Sequence, residues 1–223
     1  MIEICGKQVR DTFAELLDPT STALVVIDMQ KGAVSKGGAI ADSGHDMSMM
    51  PRIVDQCARA IRAARENGVP VFHICVENLP DGKSSTAAWL RALYTVGHGR
   101  STDLGRLSAK GDPLTEFTES CAPEGDEVVI RKRRQSAFVG TELALLLRSQ
   151  GIESVAIVGV STGGCVEATL RDAGSNDFYA VLLDDAVGAY DETVHDAALT
   201  VMRARHDHCS LDEAISVWEG ATR

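Results

Sequence analysis

No apolar stretch of the 223-residue sequence approaches the roughly 20 residues needed to cross a bilayer. The opening run, Met-Ile-Glu-Ile-Cys-Gly-Lys-Gln-Val-Arg, has no apolar signal core. The expectation is a cytoplasmic protein with no membrane partner. Excess positive charge is also missing. The formal net charge is −10, so phosphate backbones and anionic headgroups are repelled and no nucleic-acid partner is expected. The acidity reads as a solubility device. No two of the six cysteines (Cys5, Cys57, Cys75, Cys121, Cys165, Cys209) form a Cys-x-x-Cys pair. In a reducing compartment this excludes a disulfide framework, and most of them read as small buried hydrophobes. Six histidines give no metal-ligand spacing; His206 and His208 read as surface or satisfied core residues. Internal repeats, low-complexity tracts and linkers are absent, which makes residues 1–223 one domain.

What is present is an alternation. Hydrophobic residues make up 44% of the chain, enough for a large core. Apolar runs at residues 22–28, 69–76, 127–131, 154–160 and 179–184 read as strands. Helical patterns occupy residues 51–67, 140–150, about 165–173 and 192–205, and the tail holds a short strand and a last helix. Pro51 opens the first of these helices and Gly68 closes it. Strands separated by helices imply an α/β fold with parallel strands, covered on both faces and therefore apolar throughout. Residues 78–119 are less regular, with short helices at most. Such a segment is either a cover for an active site or a surface excursion.

Ligands of open parallel sheets collect at the carboxyl ends of strands. Three reactive side chains fall there. Asp28 ends the first strand, Lys132 lies just past the third, and Cys165 follows the fourth after Ser161-Thr-Gly-Gly164. The small residues allow a tight turn, and a helix starting at Cys165 would favour thiolate and supply amides for an oxyanion. Each residue taken alone has a plain reading. Cys165 is then a structural cysteine in a glycine turn, Asp28 a cap or turn residue, and Lys132 part of a solvated basic face.

Together the three segments point further. They are Ala23-Leu-Val-Val-Ile-Asp-Met-Gln30, Val129-Ile-Arg-Lys-Arg-Arg-Gln-Ser-Ala-Phe-Val-Gly-Thr141 and Val158-Gly-Val-Ser-Thr-Gly-Gly-Cys-Val-Glu-Ala-Thr-Leu-Arg-Asp-Ala173. In type and order they resemble the isochorismatase-like cysteine hydrolases, a family that includes nicotinamidases, N-carbamoylsarcosine amidases and biuret and ureidoacrylate hydrolases. The resemblance spans roughly residues 20–205. It implies a Rossmann-like three-layer sandwich around a six-stranded parallel sheet. It implies Cys165 as nucleophile, Asp28 as base and Lys132 as their electrostatic support. It further implies a cis peptide between Val160 and Ser161 that aims the Ser161 and Cys165 amides at an oxyanion. Phe138, Gln30 and Val160 are implied at the substrate, and a homo-dimer or homo-tetramer is implied in solution.

Two departures narrow this. Nicotinamidases of the family carry Asp-x-His and a further histidine after the second strand, whereas this chain has Cys75-Val-Glu-Asn-Leu-Pro-Asp-Gly-Lys83. No metal and no other cofactor is therefore expected. Isochorismatases proper cleave a vinyl ether and lack the nucleophilic cysteine that Cys165 supplies. The expected substrate is a small amide or a carbamoyl or ureido compound, cleaved through a thioester. Two rival functions are a catalytically inactive binding protein and a cysteine phosphatase, because Cys165 and Arg171 satisfy Cys-x5-Arg. Against the phosphatase, the glycines precede Cys165 and Glu167 would repel phosphate.

Overall fold

A computed structural model describes residues 1–96 and 108–221. In chain order, β1 (Ile2–Ile4) and β2 (Lys7–Val9) form an antiparallel hairpin and α1 (Phe13–Leu16) follows. Next come β3 (Thr22–Ile27), α2 (Lys31–Val34), α3 (Ala39–Asp42), α4 (Met50–Glu66), β4 (Val71–Val76) and α5 (Ala87–Val96). The second half contains β5 (Val128–Lys132), α6 (Leu143–Ser149), β6 (Ser154–Val160), α7 (Glu167–Ser175), β7 (Tyr179–Gly188), α8 (Glu192–Arg203), β8 (Asp207–Cys209) and α9 (Leu211–Ala221).

Six strands make one parallel sheet in the order β5-β4-β3-β6-β7-β8. Every residue of β3 is buried, and successive side chains serve opposite layers. Leu24 and Val26 join α4 and α9 on one face, with Ile53, Ile61 and Trp218. Ala23, Val25 and Ile27 join α6, α7 and α8 on the other, with Leu147, Leu170 and Leu199. The α4 stripe of Ile53, Cys57, Ala60, Ile61 and Ala64 has the three- and four-residue spacing of a one-sided helix. The expected three-layer α/β sandwich is the observed architecture.

Topology also places the crevice. From β3 the chain builds outward through β4 to β5, then returns to lay β6 on the other side of β3 and builds on through β7 to β8. The order reverses between β3 and β6, and at such a point the strand ends part and leave a cleft. Gly159 keeps those two strands close at that place. Its φ is +117°, and a β-carbon there would lie 2.2 Å from the Ile27 carbonyl oxygen.

The structure differs from the sequence reading in several stretches. The β1–β2 hairpin is additional. Strand β7 continues past 184 to Gly188, and the helix expected from Cys165 starts at Glu167, after a wide helical turn, Thr162–Val166. Of the irregular stretch 78–119, residues 87–96 form α5, while 97–107 lie outside the described residues.

Candidate active site

Asp28 leaves β3 in the left-handed region, with φ 55°, a conformation that aspartate tolerates better than most residues. Its amide still donates to the Ile74 carbonyl at 2.9 Å, so the turn is anchored to β4. Lys132 is the last residue of β5, paired in register with Val76 of β4. Strand β4 separates β5 from β3, and two strand spacings are about 9–10 Å. Bridging that gap needs a long stem, and the Lys132 side chain, 0% exposed, makes the crossing.

Its ammonium is the hub of the site. Lys132 Nζ lies 2.9 Å from Asp28 Oδ2 and 3.1 Å from Cys165 Sγ, and donates to the Arg134 carbonyl at 3.2 Å. Asp28 Oδ1 is buried and accepts no hydrogen bond among the described residues. Cys165 is half-buried in the turn that links β6 to α7. That turn is braced from both sides. Gly164 and Val166 amides donate to the Ser161 carbonyl at 3.0 and 3.2 Å, and Thr162 Oγ1 lies 2.8 Å from His195 Nδ1 of α8. Thr169 Oγ1 donates to the Cys165 carbonyl at 2.7 Å and accepts from the Ala137 amide at 3.0 Å. The loop after Lys132 is thereby tied to the helix after Cys165. The Val160–Ser161 peptide bond is cis.

Electrostatics modify the picture read from the helix terminus. Burial first, and then the Asp28 carboxylate, push the Cys165 thiol up to about 12, against the pull of the Lys132 ammonium. That direction runs against the thiolate-favouring pull expected from a helix N-terminus. Burial disfavours the Lys132 charge, but Asp28 and Cys165 outweigh it and hold the ammonium above its ordinary value. Burial, followed by the charges of Asp28 and Cys165, likewise raises the Tyr190 phenol, which stays protonated.

Asp28, Lys132, Cys165, Ser161, Val160 and Gln30 all line one cavity of about 250 Å³. Gln30 does so as a wall, because its amide is occupied. It donates to the carbonyls of Val76 (3.0 Å) and Thr115 (2.8 Å) and accepts from the Val76 amide (2.9 Å), joining β4 to the segment that covers the site. Phe138 is not among the lining residues. Its ring packs on Phe178 at 5.9 Å and against the α6–α8 layer, so the expected pocket role does not match its place. Tyr190 and Trp89 line the cavity and were not foreseen. Tyr190 follows the polar continuation of β7, and Trp89 lies on α5 in the irregular segment. Among the described residues no group of three or more histidine, cysteine, aspartate or glutamate side chains is placed to hold a metal ion.

Known proteins resemble the chain in sequence and fold. A ureidoacrylate amidohydrolase RutB of Serratia proteamaculans is 35% identical over 174 residues, covering 75% of this chain and 70% of the relative. A cysteine hydrolase from Pseudomonas syringae pv. phaseolicola superposes with a TM-score of 0.80 at 27% identity, covering 91% of this chain and 94% of that one. N-carbamoylsarcosine amidase from Thermoplasma acidophilum does so with a TM-score of 0.66 at 26% identity, covering 86% and 97%. The isochorismatase domain model matches residues 22–211, from the first residue of β3 to the first of α9 and so across the whole parallel sheet, and on that match the chain belongs to the isochorismatase family.

Proposed function

We propose that the chain is a cysteine-dependent hydrolase of the C–N bond in a small amide, carbamoyl or ureido compound, working through a thioester. The observation that carries this reading is the buried ammonium of Lys132 set between Asp28 Oδ2 and Cys165 Sγ. A base, a nucleophile and one fixed cation then share a single cavity, as covalent acyl transfer requires. The relatives named for amide and ureide cleavage support the same chemistry.

In this mechanism Asp28 takes the Sγ proton as sulfur attacks the carbonyl carbon, because a thiol raised to about 12 is scarcely ionised beforehand. The Ser161 and Cys165 amides receive the oxyanion. What supports them is their place on the cavity wall and the hydrogen bonds that fix the Ser161 carbonyl. Protonated Asp28 then gives its proton to the leaving nitrogen, the C–N bond breaks and an amine or ammonia departs. Water, losing a proton to Asp28, attacks the thioester and returns Cys165 to the thiol. Lys132 remains charged throughout and offsets each negative intermediate.

Ammonia release from a panel of small amides and ureides tests the reading. Turnover of at least one member supports it. A panel left intact while p-nitrophenyl phosphate is cleaved would transfer the site to phosphatase chemistry. That rival has little geometric support, since Arg171 is held by Glu167 at 2.8 and 3.0 Å on the exposed side of α7. A panel left intact with no phosphate ester cleaved would point to an inactive binding protein. A dimer or tetramer in a cytoplasmic setting belongs to the same proposal, and the six unpaired cysteines accord with a reducing compartment. Among the described residues no helix is long and apolar enough to cross a membrane. Light scattering at micromolar concentration checks the oligomer; a monomer mass would remove it.

A further inference from the structure

The proposed mechanism uses no histidine, yet one imidazole is buried against the turn that carries the nucleophile. His195 of α8 is 7% exposed, and Thr162, which it meets, is 0% exposed. Thr162 Oγ1 lies 2.8 Å from His195 Nδ1. This pairing has one satisfactory direction. The Thr162 hydroxyl has no other acceptor among the described residues, and a buried donor left without one is costly. The hydroxyl therefore donates, Nδ1 accepts, and the imidazole is neutral with its own proton on Nε2. Burial agrees, because it comes first among the causes that hold the His195 pKa below the ordinary value. Asp196 opposes it, Arg52 and Arg203 add to it, and Glu192 opposes it.

Contact between the turn and α8 is not confined to that bond. A β-carbon at Gly163 would lie 3.1 Å from Val194 Cγ1 and 3.3 Å from Ala198 Cβ, so the glycine lets the turn settle on the helix. Residues 194, 195 and 198 share one face of α8. The start of the helix is itself fixed. The Asp191 carboxylate accepts the Val194 amide at 3.0 Å, and the Asp191 carbonyl accepts the His195 amide at 3.0 Å. The turn thus faces two ways. Ser161, Gly164 and Cys165 line the cavity, whereas Thr162 and Gly163 are turned to α8. Between them runs hydrogen-bonded backbone: the Thr162 carbonyl accepts the Glu167 amide, and the Ser161 carbonyl accepts those of Gly164 and Val166. Fixing the Thr162 side chain therefore fixes the peptides that carry the Ser161 amide and Cys165. Misplacing reacting groups by about 1 Å costs on the order of 10²-fold in rate.

We infer that His195 is a positioning residue of the catalytic turn: its Nδ1 accepts the Thr162 hydroxyl proton and thereby holds Ser161 and Cys165 in the geometry that the reaction needs. The inference rests on the hydrolase reading above and adds to it a residue of α8 that lies behind the cavity wall.

The test reads catalysis and the turn separately. Ammonia release from acetamide, benzamide, methylurea, biuret and ureidoacrylate gives kcat and KM in the unmodified protein, Thr162→Val, Thr162→Ser, His195→Leu, His195→Asn and the double variant Thr162→Val/His195→Leu. Loss of the bond should lower kcat about 10- to 100-fold with KM nearly unchanged, since the turn serves the reacting atoms and not ground-state binding. The double variant should fall no further than either single one. Thr162→Ser keeps the hydroxyl, and His195→Asn sets an amide oxygen near the place of Nδ1, so each should recover most of the loss. Met202→Ala is the control for a loosened helix. It trims a buried side chain of α8 about two turns beyond His195, so it should lower the melting temperature and spare kcat. Hydrogen exchange followed by mass spectrometry reads the turn without any substrate. In Thr162→Val and His195→Leu the amides of Gly164, Val166 and Glu167 should exchange about 10-fold faster, the equivalent of one net hydrogen bond.

A kcat held in His195→Leu, a loss carried by KM alone, single losses that multiply in the double variant, no recovery in His195→Asn, or an equal kcat loss in Met202→Ala each overturns the inference and leaves the hydrolase reading standing. A protein that cleaves no member of the panel loses the hydrolase reading. Exchange then decides the tether by itself, and unchanged exchange in His195→Leu overturns it. Should His195→Leu fail to fold, His195→Gln, whose amide falls at the place of Nε2 and not of Nδ1, makes the same comparison.

Discussion

Cys165→Ala is expected to lose turnover by on the order of 10⁴-fold or more, the scale seen when a covalent nucleophile is removed. The fold should scarcely notice. Cys165 is half-buried, and after truncation Lys132 still has Asp28 at 2.9 Å and the Arg134 carbonyl at 3.2 Å, so no charge is stranded. A stability change within about 1 kcal/mol follows, since no large cavity or unpaired ion is made. Cys165→Ser should do little better for activity. The hydroxyl can accept from Lys132, yet it is a far weaker acid than a thiol that burial and Asp28 already hold at about 12. Cys5 supplies the control, because it is the exposed cysteine of the N-terminal hairpin and lies on a different element. Ammonia release and thermal melts on Cys165→Ala, Cys165→Ser and Cys5→Ala make the comparison. Activity retained above a few per cent in Cys165→Ala would exclude a thioester route.

Much of this site was legible in the sequence, for physical reasons that also mark where legibility stops. Asp28, Lys132 and Cys165 each follow an apolar run, and parallel strands deliver such ends to one edge whatever lies between them. Side chains in irregular backbone have no such period. Phe138 lies in the segment between β5 and α6, where nothing in the spacing tells whether the ring turns to the pocket or to Phe178. Gln30 lines the cavity, but its task depends on the carbonyls of Val76 and Thr115, which are remote in sequence. Tyr190 was hidden by Asp184 and Asp185, two carboxylates that make the end of β7 look like a loop. Asp185 is retained in a strand because it accepts from Gln56 and the Leu211 amide. The helix terminus near Cys165 is visible in sequence, whereas the burial that opposes its pull on the thiol belongs to the fold.

The buried pair makes a sharper demand than either residue alone. Asp28→Asn keeps the shape but removes the base, and activity should fall by about 10²–10⁴-fold. Lys132→Met should also be severe, since Asp28, 5% exposed, and the attacking sulfur lose their counter-charge. Lys132→Arg is expected to rescue little, because a fork cannot occupy a fully buried site shaped for one compact ammonium. Stability should behave differently from activity. Each single change strands one buried ion, and each should cost about 3–5 kcal/mol. The double variant Asp28→Asn/Lys132→Met strands neither, so its loss should be well below the sum of the two and close to that of one or less. Activity should remain absent in it, because the base and the cation are both gone. Arg131→Ala supplies the contrast: it is exposed and its contact with Glu77 is 3.4 Å, so it should stay within about 0.5 kcal/mol and keep its turnover. Urea unfolding and ammonia release on these five variants separate two pictures of the basic run. In the first, residues 131–134 form a solvated face, and alanine or methionine at 131 and 132 gives similar mild effects with additive stabilities. In the second, the long stem of Lys132 reaches from the end of β5 to hold Asp28 and Cys165 together. Only that picture lets the double variant regain stability without regaining catalysis.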